Sequence, residues 1–259
     1  MIKLENVVLA SSEQIDFIIE GMRNPMNSWD KKDSREGCEH GLCWKTCNFS
    51  PYWCGNTPKY VMGENDHSLM QRLSNAGTEH RKYMRMMPVY VRITAPLYWW
   101  KEFDTYKVGT VANSCSTMHK IAEKEFTLED FSTEHLYFDD NKPILAEEWG
   151  NYRIDGNGHI CLTINLLNYW RKKYLNTKSK EDWWQIIQLL PSSYNQTRNI
   201  MLNYEVLANI YRQRKGHKLD EWREFCKWIE SLPYSELIVD GEEIKYYSDN
   251  KEVTTDEQN

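Results

Sequence analysis

Four residues near the C-terminal end of the chain have the types and the spacing to bind a planar ligand. They are Asn203, Leu207, Ile210 and Arg214. We predict a helix from about Tyr194 to Arg214, with Gly216 as its stop, which places all four on one stripe. Amide and guanidinium groups supply the directed hydrogen-bond donors that a planar heterocycle needs. The alternative is a partly buried packing helix whose arginine extends its aliphatic stem along the surface.

The segment that contains this helix resembles the C-terminal substrate helix of the flavin-dependent thymidylate synthases. In that family a Leu-Pro pair precedes a helix whose Asn, Arg, Asn and Arg side chains bind flavin and the uracil ring. Counted from Leu190-Pro191, the matching positions here are Asn203, Glu205, Asn209 and Arg214. Three of the four agree in type, and Glu205 replaces an arginine. The resemblance implies that Asn203 and Asn209 bind the cofactor, and that Arg214 binds the pyrimidine and acts in catalysis.

A second segment, Thr94–Ile121, resembles the signature region of the same family in its frame but not in its chemistry. The family has Arg-His-Arg, then seven residues, Ser, one residue and Arg. At this spacing the chain has Thr105-Tyr106-Lys107, Cys115 and Thr117. Lysine and threonine replace arginines that would bind a phosphate, and an amide replaces a glutamate two residues before the serine position. The resemblance implies cofactor contacts at Thr105, Tyr106, Lys107 and Asn113, and substrate contacts at Glu102, Cys115 and Thr117.

Two further positions resemble flavin contacts of the family. Ser28 follows closely after Arg23 at the end of a predicted helix, and His80 closes the triplet Thr78-Glu79-His80. Both have ordinary alternatives. Common turn residues would explain Asn27, Ser28 and Asp30 equally well, and a single histidine is commonly a structural residue.

The resemblance implies an α+β fold like that of the flavin-dependent thymidylate synthases, with a twisted β-sheet packed with helices. We expect one domain over residues 1–247, a Cys-rich insertion at 35–62 and a disordered acidic tail at 248–259. The implied activity is reductive methylation of dUMP to dTMP, with FAD as cofactor and with NADPH and methylenetetrahydrofolate as co-substrates. The family also implies a homotetramer with shared active sites. The alternatives are a related flavoenzyme for another pyrimidine nucleotide and a non-catalytic binding or assembly protein.

Composition limits the class of partner. The chain has 259 residues, a net charge of −6 and a pI near 5.7, which argue against broad nucleic-acid binding because that needs a basic face. An anionic nucleotide could still be held by local cations, for which the candidates are Arg23, Lys107, Arg198 and Arg214. Because the sequence has neither an apolar run of membrane-spanning length nor a signal-peptide pattern, we expect a soluble cytoplasmic protein without a membrane partner.

Seven cysteines raise the question of a metal site. Four of them fall in one short stretch, at Cys38, Cys43, Cys47 and Cys54. Four thiols could bind zinc or an iron–sulfur cluster, but the spacing lacks a Cys-x-x-Cys pair, so we predict reduced thiols and no metal. Cys115 could be a nucleophile, although we favour a small buried residue at that position.

Hydrophobic periodicity and capping residues predict the remaining elements. The predicted strands are residues 2–9 and a strand from Val89, and the predicted helices are Ser11–Met22, His67–Ala76, part of Ile121–Phe138, Ile160–Tyr174, Lys178–Leu190 and Asp220–Ile229.

Overall fold

A computed structural model describes residues 1–37, 59–136 and 156–239 of the chain. Helices and strands are mixed along the sequence, as predicted for an α+β fold. The strands are β1 (Lys3–Leu9), β2 (Arg35–Gly37), β3 (Lys59–Val61), β4 (Pro88–Pro96), β5 (Val111–Ser114) and β6 (Asn195–Asn203). The helices are α1 (Ser12–Arg23), α2 (Glu64–Asn75), α3 (Lys82–Arg85), α4 (Leu97–Phe103), α5 (Gly156–Thr177), α6 (Lys180–Leu189), α7 (Tyr204–Arg214) and α8 (Asp220–Glu230). No helix of the described ranges is long and apolar enough to cross a membrane.

The chain forms two compact units. The first unit contains Met1–Val8, Tyr90–Leu202 and Gly216–Phe225, and the second contains Leu9–Val89, Asn203–Lys215 and the chain from Cys226 onward. The expected single domain over 1–247 stays a prediction. The four clustered cysteines and the acidic tail at 248–259 lie outside the described residues.

The first unit is built on a four-stranded sheet with the order β1-β4-β6-β5. Strand β5 pairs antiparallel with β6, with Val111 opposite Met201 and Asn113 opposite Asn199. Along β4 the side chains alternate, so that Val91 and Ile93 are buried while neighbouring side chains are exposed. The strand predicted from Val89 is therefore confirmed.

An aromatic cluster forms a core of the first unit. Trp99 packs on Phe103 with ring centroids 5.0 Å apart and on Trp222 at 4.8 Å, and all three rings are buried. Helical periodicity places Trp222, Phe225, Cys226 and Ile229 on one face of α8, and all four are buried. Rings of this size, packed edge to face and stacked, contribute large apolar area to the core.

Helix α1 of the second unit begins as the sequence predicts. Ser11 is its N-cap, and a capping box joins the Ser11 and Gln14 side chains to each other's backbone N–H groups. The helix gives way to a short 3-10 turn at Asn24–Met26, where Asn24-Pro25 interrupts the α-helical pattern.

Three element predictions need correction. The helix predicted from Tyr194 is strand β6 followed by helix α7, with the change at Asn203. Residues 121–136 contain only a 3-10 turn at Leu128–Asp130, although Thr127 forms the expected capping box. The third concerns α5, where the pattern predicts that Leu162, Ile164, Leu166 and Leu167 are mostly buried, whereas the side chains of Leu162 and Leu166 are exposed.

Candidate functional site

In the second unit, a buried ion pair holds the segment that carries Ser28. The Arg23 Nε donates to Asp66 Oδ1 at 2.6 Å, and the two side chains are 3% and 0% exposed. The same guanidinium donates through Nη1 to the Ser28 carbonyl at 3.2 Å and to its hydroxyl at 3.3 Å. Arg23 is therefore a positioning residue for Ser28, and its charge is already paired. Its Nη2 is buried and has no hydrogen-bond partner among the described residues.

Asp66 also ties the loop before β2 to the start of α2. Its Oδ2 accepts from the backbone N–H of Asp33 at 3.0 Å and of Ser34 at 2.7 Å. In return, the Asp33 carboxylate accepts from the N–H groups of Asn65 and Asp66, which are orphan donors at the helix start. Gly63 permits this close approach, because a Cβ there would lie 2.1 Å from Asp33 Oδ1.

The environment of Asp66 favours its charged form. Burial alone would raise the carboxyl pKa, but hydrogen bonds from Ser34, Arg23 and the Asp33 backbone outweigh burial and lower the pKa below its ordinary value. The carboxylate is thus a stable anionic anchor at neutral pH.

Helix α7 carries the residues that resemble the family's ligand helix. Asn203 is its N-cap, and its Oδ1 accepts from the Val206 N–H at 3.0 Å. The amide nitrogen of Asn203 is the group that could donate to a ligand. Asn209 is exposed and accepts a hydrogen bond from Gln213 at 3.1 Å, while Arg214 is half-buried in the last turn.

The helix face that carries Leu207 and Ile210 is core. Leu207 and Ile210 are fully buried, so the predicted stripe holds over these two residues and Arg214. Glu205, in the first turn, has a buried Oε2 with no hydrogen-bond partner among the described residues. An acceptor therefore stands where the resembled family has an arginine donor, and burial makes an unpaired carboxylate oxygen costly.

We expect Asn203→Ala to lower the free energy of unfolding by about 1 kcal/mol, because the helix loses its side-chain cap. Asn209→Ala is the matched control on the same helix, since it removes an exposed amide and should change stability by less than about 0.5 kcal/mol. Urea unfolding of the two variants and the parent measures the difference. Equal stability of both variants would contradict the capping role.

His80 is the remaining predicted site residue of the second unit. Its side chain is exposed, with Nε2 3.6 Å from the Glu79 carboxylate. It follows Gly77, whose φ of 122° lies in the region that favours glycine. The triplet that contains His80 thus lies on a turn, where its ring is accessible.

In the first unit, the residues of the signature frame lie just after α4. The Thr105 hydroxyl donates to the Glu102 carbonyl at 2.7 Å, and Lys107 is exposed. The Tyr106 ring is only 8% exposed and packs against Phe103 and Trp222. Burial in the aromatic cluster gives Tyr106 a packing role, whereas Thr105 and Lys107 are placed at the surface.

The carboxylate of Glu102 has two ring partners. The Trp222 indole N–H donates to Oε2 at 2.8 Å, and His217 Nε2 lies 3.4 Å from the same oxygen. Because His217 Nδ1 accepts from the Leu219 N–H at 3.2 Å, the ring proton must lie on Nε2, which faces Glu102. His217 was not predicted as a site residue, and only its position next to Gly216 pointed to a turn.

Strand β5 and the residues after it carry the other predicted substrate positions. Asn113 is exposed, Thr117 is half-buried, and Cys115 is exposed, so the expectation of a buried Cys115 is wrong. The Cys115 backbone is fixed on both sides, since its N–H donates to the Thr197 carbonyl and its carbonyl accepts from Gln196 Nε2, each at 2.9 Å. The strand pairing thus presents this thiol to solvent.

Arg198, the fourth predicted cation, is already paired. Its Nη1 donates to Asp104 at 2.7 Å and its Nε to Gln196 at 2.9 Å, and the guanidinium lies 4.1 Å from the centre of the Trp100 ring. This combination of ion pair and cation–π contact fixes the side chain. Of the four predicted cations, Arg23 and Arg198 therefore each have a carboxylate partner.

The described residues contain no group of three or more His, Cys, Asp or Glu side chains placed to bind a metal ion. What the α7 residues offer is one unpaired acceptor, Glu205, together with the amides of Asn203 and Asn209. The Glu205 oxygen is buried while Asn209 is exposed, and Asn203 and Asn209 lie six residues apart, so these groups do not converge on one edge of a heterocycle. Fewer cations than predicted are available to bind a phosphate. Lys107 is the exposed cation of the signature frame.

Comparison with known proteins finds the fold but no sequence family. No family profile and no curated protein matches the chain. A crystal structure of thymidylate synthase X (ThyX) from Helicobacter pylori with FAD and dUMP matches with a TM-score of 0.55 and 15% identity, covering 91% of this chain and 94% of that one. A second ThyX structure from the same organism, complexed with FAD and dUMP, gives the same score and identity over 92% and 97% of the two chains.

A third solved structure is the UMP/dUMP methylase PolB from Streptomyces cacaoi, bound with 5-Br dUMP. It matches with a TM-score of 0.52 and 12% identity, covering 91% of this chain and 92% of that one. At such low identity the likeness shows the fold alone. The predicted flavin-dependent thymidylate synthase-like fold is therefore confirmed, while the cofactor, the substrate and the site roles are not decided by it.

Proposed function

We propose that the chain is a nucleotide-methylating flavoenzyme that converts dUMP to dTMP. FAD would be its cofactor, with methylenetetrahydrofolate as carbon donor and NADPH as reductant. The observation that carries the proposal is the fold likeness, which extends over about nine-tenths of this chain and of structures that contain FAD and dUMP. The amide and guanidinium groups retained on α7 give additional support.

The proposed cofactor contacts are Ser28, His80, Asn203 and Asn209 in the second unit and Thr105, Lys107 and Asn113 in the first. Reduced flavin supplies the reducing equivalents of this chemistry. Asn203 and Asn209 would orient the ring or ribose, and Arg23 would hold Ser28 in position. Tyr106 is left out of the contact set because its ring is buried in the aromatic cluster.

Arg214 is the proposed catalytic residue. A guanidinium at the carbonyl and N3 edge of a pyrimidine stabilises negative charge there, and this activates C5 for attack. Glu102, Cys115 and Thr117 are the proposed substrate contacts of the first unit. The Glu102 carboxylate is held in one orientation by Trp222, so it is a preorganised acceptor.

We expect purified protein to bind FAD, but more weakly than a family member with two signature arginines. Each lost charge-assisted hydrogen bond costs about 1.5–3 kcal/mol. The visible absorbance of the purified protein, followed by titration with FAD monitored by flavin fluorescence, measures this. If the protein stays colourless and gives no fluorescence change at millimolar FAD, the proposed function is wrong. The alternative of a non-catalytic binding or assembly protein then remains.

A second candidate is the same chemistry on another pyrimidine nucleotide. The altered signature frame favours it, and a solved structure of the same fold is a UMP/dUMP methylase. Incubating the flavin-loaded protein with carbon donor, NADPH and either dUMP or UMP, and measuring the methylated product, separates the two.

We also propose a homotetramer with shared sites. Light scattering of the purified protein tests whether it is a tetramer.

A further inference from the structure

The second unit contains a cavity of about 320 Å³ that the proposed chemistry does not use. It lies where β1 ends and α1 begins, and residues from β3, the start of β4, the start of α7 and the turn after α8 complete its wall. The lining residues are Leu9, Ala10, Ser11, Ser12, Ile15, Tyr60, Met87, Pro88, Tyr204, Pro233 and Tyr234.

Among the described residues, no charged side chain belongs to this lining. Aliphatic, proline, methionine and tyrosine side chains predominate, and the polar groups are hydroxyls. Burial raises the pKa of Tyr60, of Tyr204 and of Tyr234, so all three phenols stay neutral at physiological pH. An ion that bound here would lose part of its hydration and would meet no charged side chain among the described lining residues, so the lining favours an uncharged ligand.

The hydroxyl protons of two tyrosines are already used by the protein. The Tyr60 hydroxyl donates to Asp16 Oδ1 at 2.9 Å, and the Tyr204 hydroxyl donates to the Pro233 carbonyl. The Tyr204 oxygen keeps acceptor lone pairs, whereas the Tyr60 oxygen also interacts with the Ser34 side chain. A ligand with a hydroxyl or N–H donor therefore matches the lining better than one that only accepts.

One wall of the cavity is held in a costly conformation. Tyr234 has a φ of 58°, which is rare for a bulky side chain. Two neighbouring contacts fix it, the Tyr204 bond to Pro233 and the hydrogen bond between His67 Nε2 and Glu236 Oε1 at 2.6 Å. Strain that the surroundings maintain is typical of binding sites, because it keeps the wall preorganised.

We propose that this cavity is a binding site for a small, uncharged aromatic molecule that carries a hydroxyl or N–H donor. Size supports this class, because a dry cavity of about 150 Å³ holds benzene. The cavity here has about twice that volume, which accommodates a substituted single ring or a fused pair of rings. Tyrosine and proline side chains give such a ring flat apolar surfaces to pack on.

Three probes with one ring and different charges test the proposal. They are 4-fluorobenzyl alcohol, 4-fluorobenzoate and 4-fluorobenzylammonium, and fluorine NMR of the full chain measures their binding. We expect the alcohol to bind with a dissociation constant of about 1 mM or below, the range for so small a ligand. Both ions should bind at least about tenfold more weakly. No binding of the alcohol at several times this concentration, or equal binding of an ion, would overturn the proposal.

A filling variant locates the binding. Ala10→Trp places a large side chain in the wall and should weaken binding of the alcohol at least about tenfold. Ala76→Trp makes the same change at an exposed position of the second unit and should leave binding unchanged. Unchanged binding to a folded Ala10→Trp variant, checked by thermal unfolding, would show that the probe binds elsewhere.

Competition with FAD or dUMP makes the test independent of the proposed enzyme function. If either compound displaces the alcohol completely, the cavity belongs to the nucleotide site and the inference of a further site fails. If neither does, the site stands whether or not the protein methylates a nucleotide.

Discussion

Replacing Asp66 by Asn is expected to destabilise the protein by about 3–5 kcal/mol, the cost of removing one partner of a buried ion pair. The asparagine would keep the shape of the side chain but would leave the Arg23 guanidinium buried without a counter-charge. Its amide would also present a donor where Arg23, Asp33 and Ser34 already donate. Urea unfolding of variant and parent at neutral pH measures the loss.

Asp16→Asn is the matched control for this change. Asp16 pairs with Lys32 at 2.6 Å, but the two side chains are 37% and 23% exposed, so the pair is partly hydrated. The Tyr60 hydroxyl also donates to Asp16 Oδ1, and the amide oxygen of an asparagine can keep this bond. Exposed pairs contribute about 0–1 kcal/mol, and the control should lose no more than that. Losses of the same size in both variants would mean that burial does not increase the contribution of the Arg23–Asp66 pair to stability.

The same pair predicts how stability depends on pH. Since the folded pKa of Asp66 is below its ordinary value, its contribution is complete above the ordinary pKa of the unfolded carboxyl. The contribution is lost as pH falls through the lower folded pKa, because the folded state then takes up the proton as well. The parent should therefore lose more stability on acidification than Asp66→Asn does.

Replacing Arg214 by Lys should leave the thermal midpoint nearly unchanged while nucleotide binding or turnover falls at least about tenfold, equivalent to roughly 1.4 kcal/mol. Lysine keeps the positive charge at the end of α7, which favours the helix, but it lacks the planar fork that bonds a heterocycle edge. Titration with dUMP and UMP, together with the product assay, measures the effect.

Arg212→Lys is the matched control on the same helix turn. Arg212 is exposed and its Nε bonds the Ala208 carbonyl at 3.3 Å, so its replacement should affect neither binding nor stability. If Arg214→Lys instead lowers the thermal midpoint and binds nucleotides as the parent does, Arg214 is a packing residue and the site assignment on α7 is wrong.

Elements with local signals could be predicted from the sequence. Strand β1, the Ser11 cap of α1 and the buried face of α8 depend on periodicity and capping, which are readable in a short window. Strand β6 was misread because Ile200 and Leu202 alternate in a stretch that also fits a helix, and its pairing with β4 and β5 involves residues distant in sequence. Tertiary pairing therefore decided the conformation where the local pattern was ambiguous.

For the same reason, only part of the candidate site could be proposed from the sequence. Asn203 and Arg214 could be found from spacing within one segment. The contact of Arg23 with Asp66 in the second unit and that of Glu102 with Trp222 in the first could not, because the partners lie 43 and 120 residues apart in sequence. Residue types predict which groups are available, but only the folded chain shows which charges are already paired.

Helix α7 also sets a length scale for whatever binds along it. Asn203 is the cap at one end and Arg214 the last residue at the other, and 11 residues at 1.5 Å each separate their backbones by about 16 Å. One heterocycle cannot bridge that distance. If both ends are occupied, one ring system binds at the N-terminal end of the helix and another at its C-terminal end. Such a spacing matches two ligands bound one after the other along the helix, or one molecule with a ring at each end.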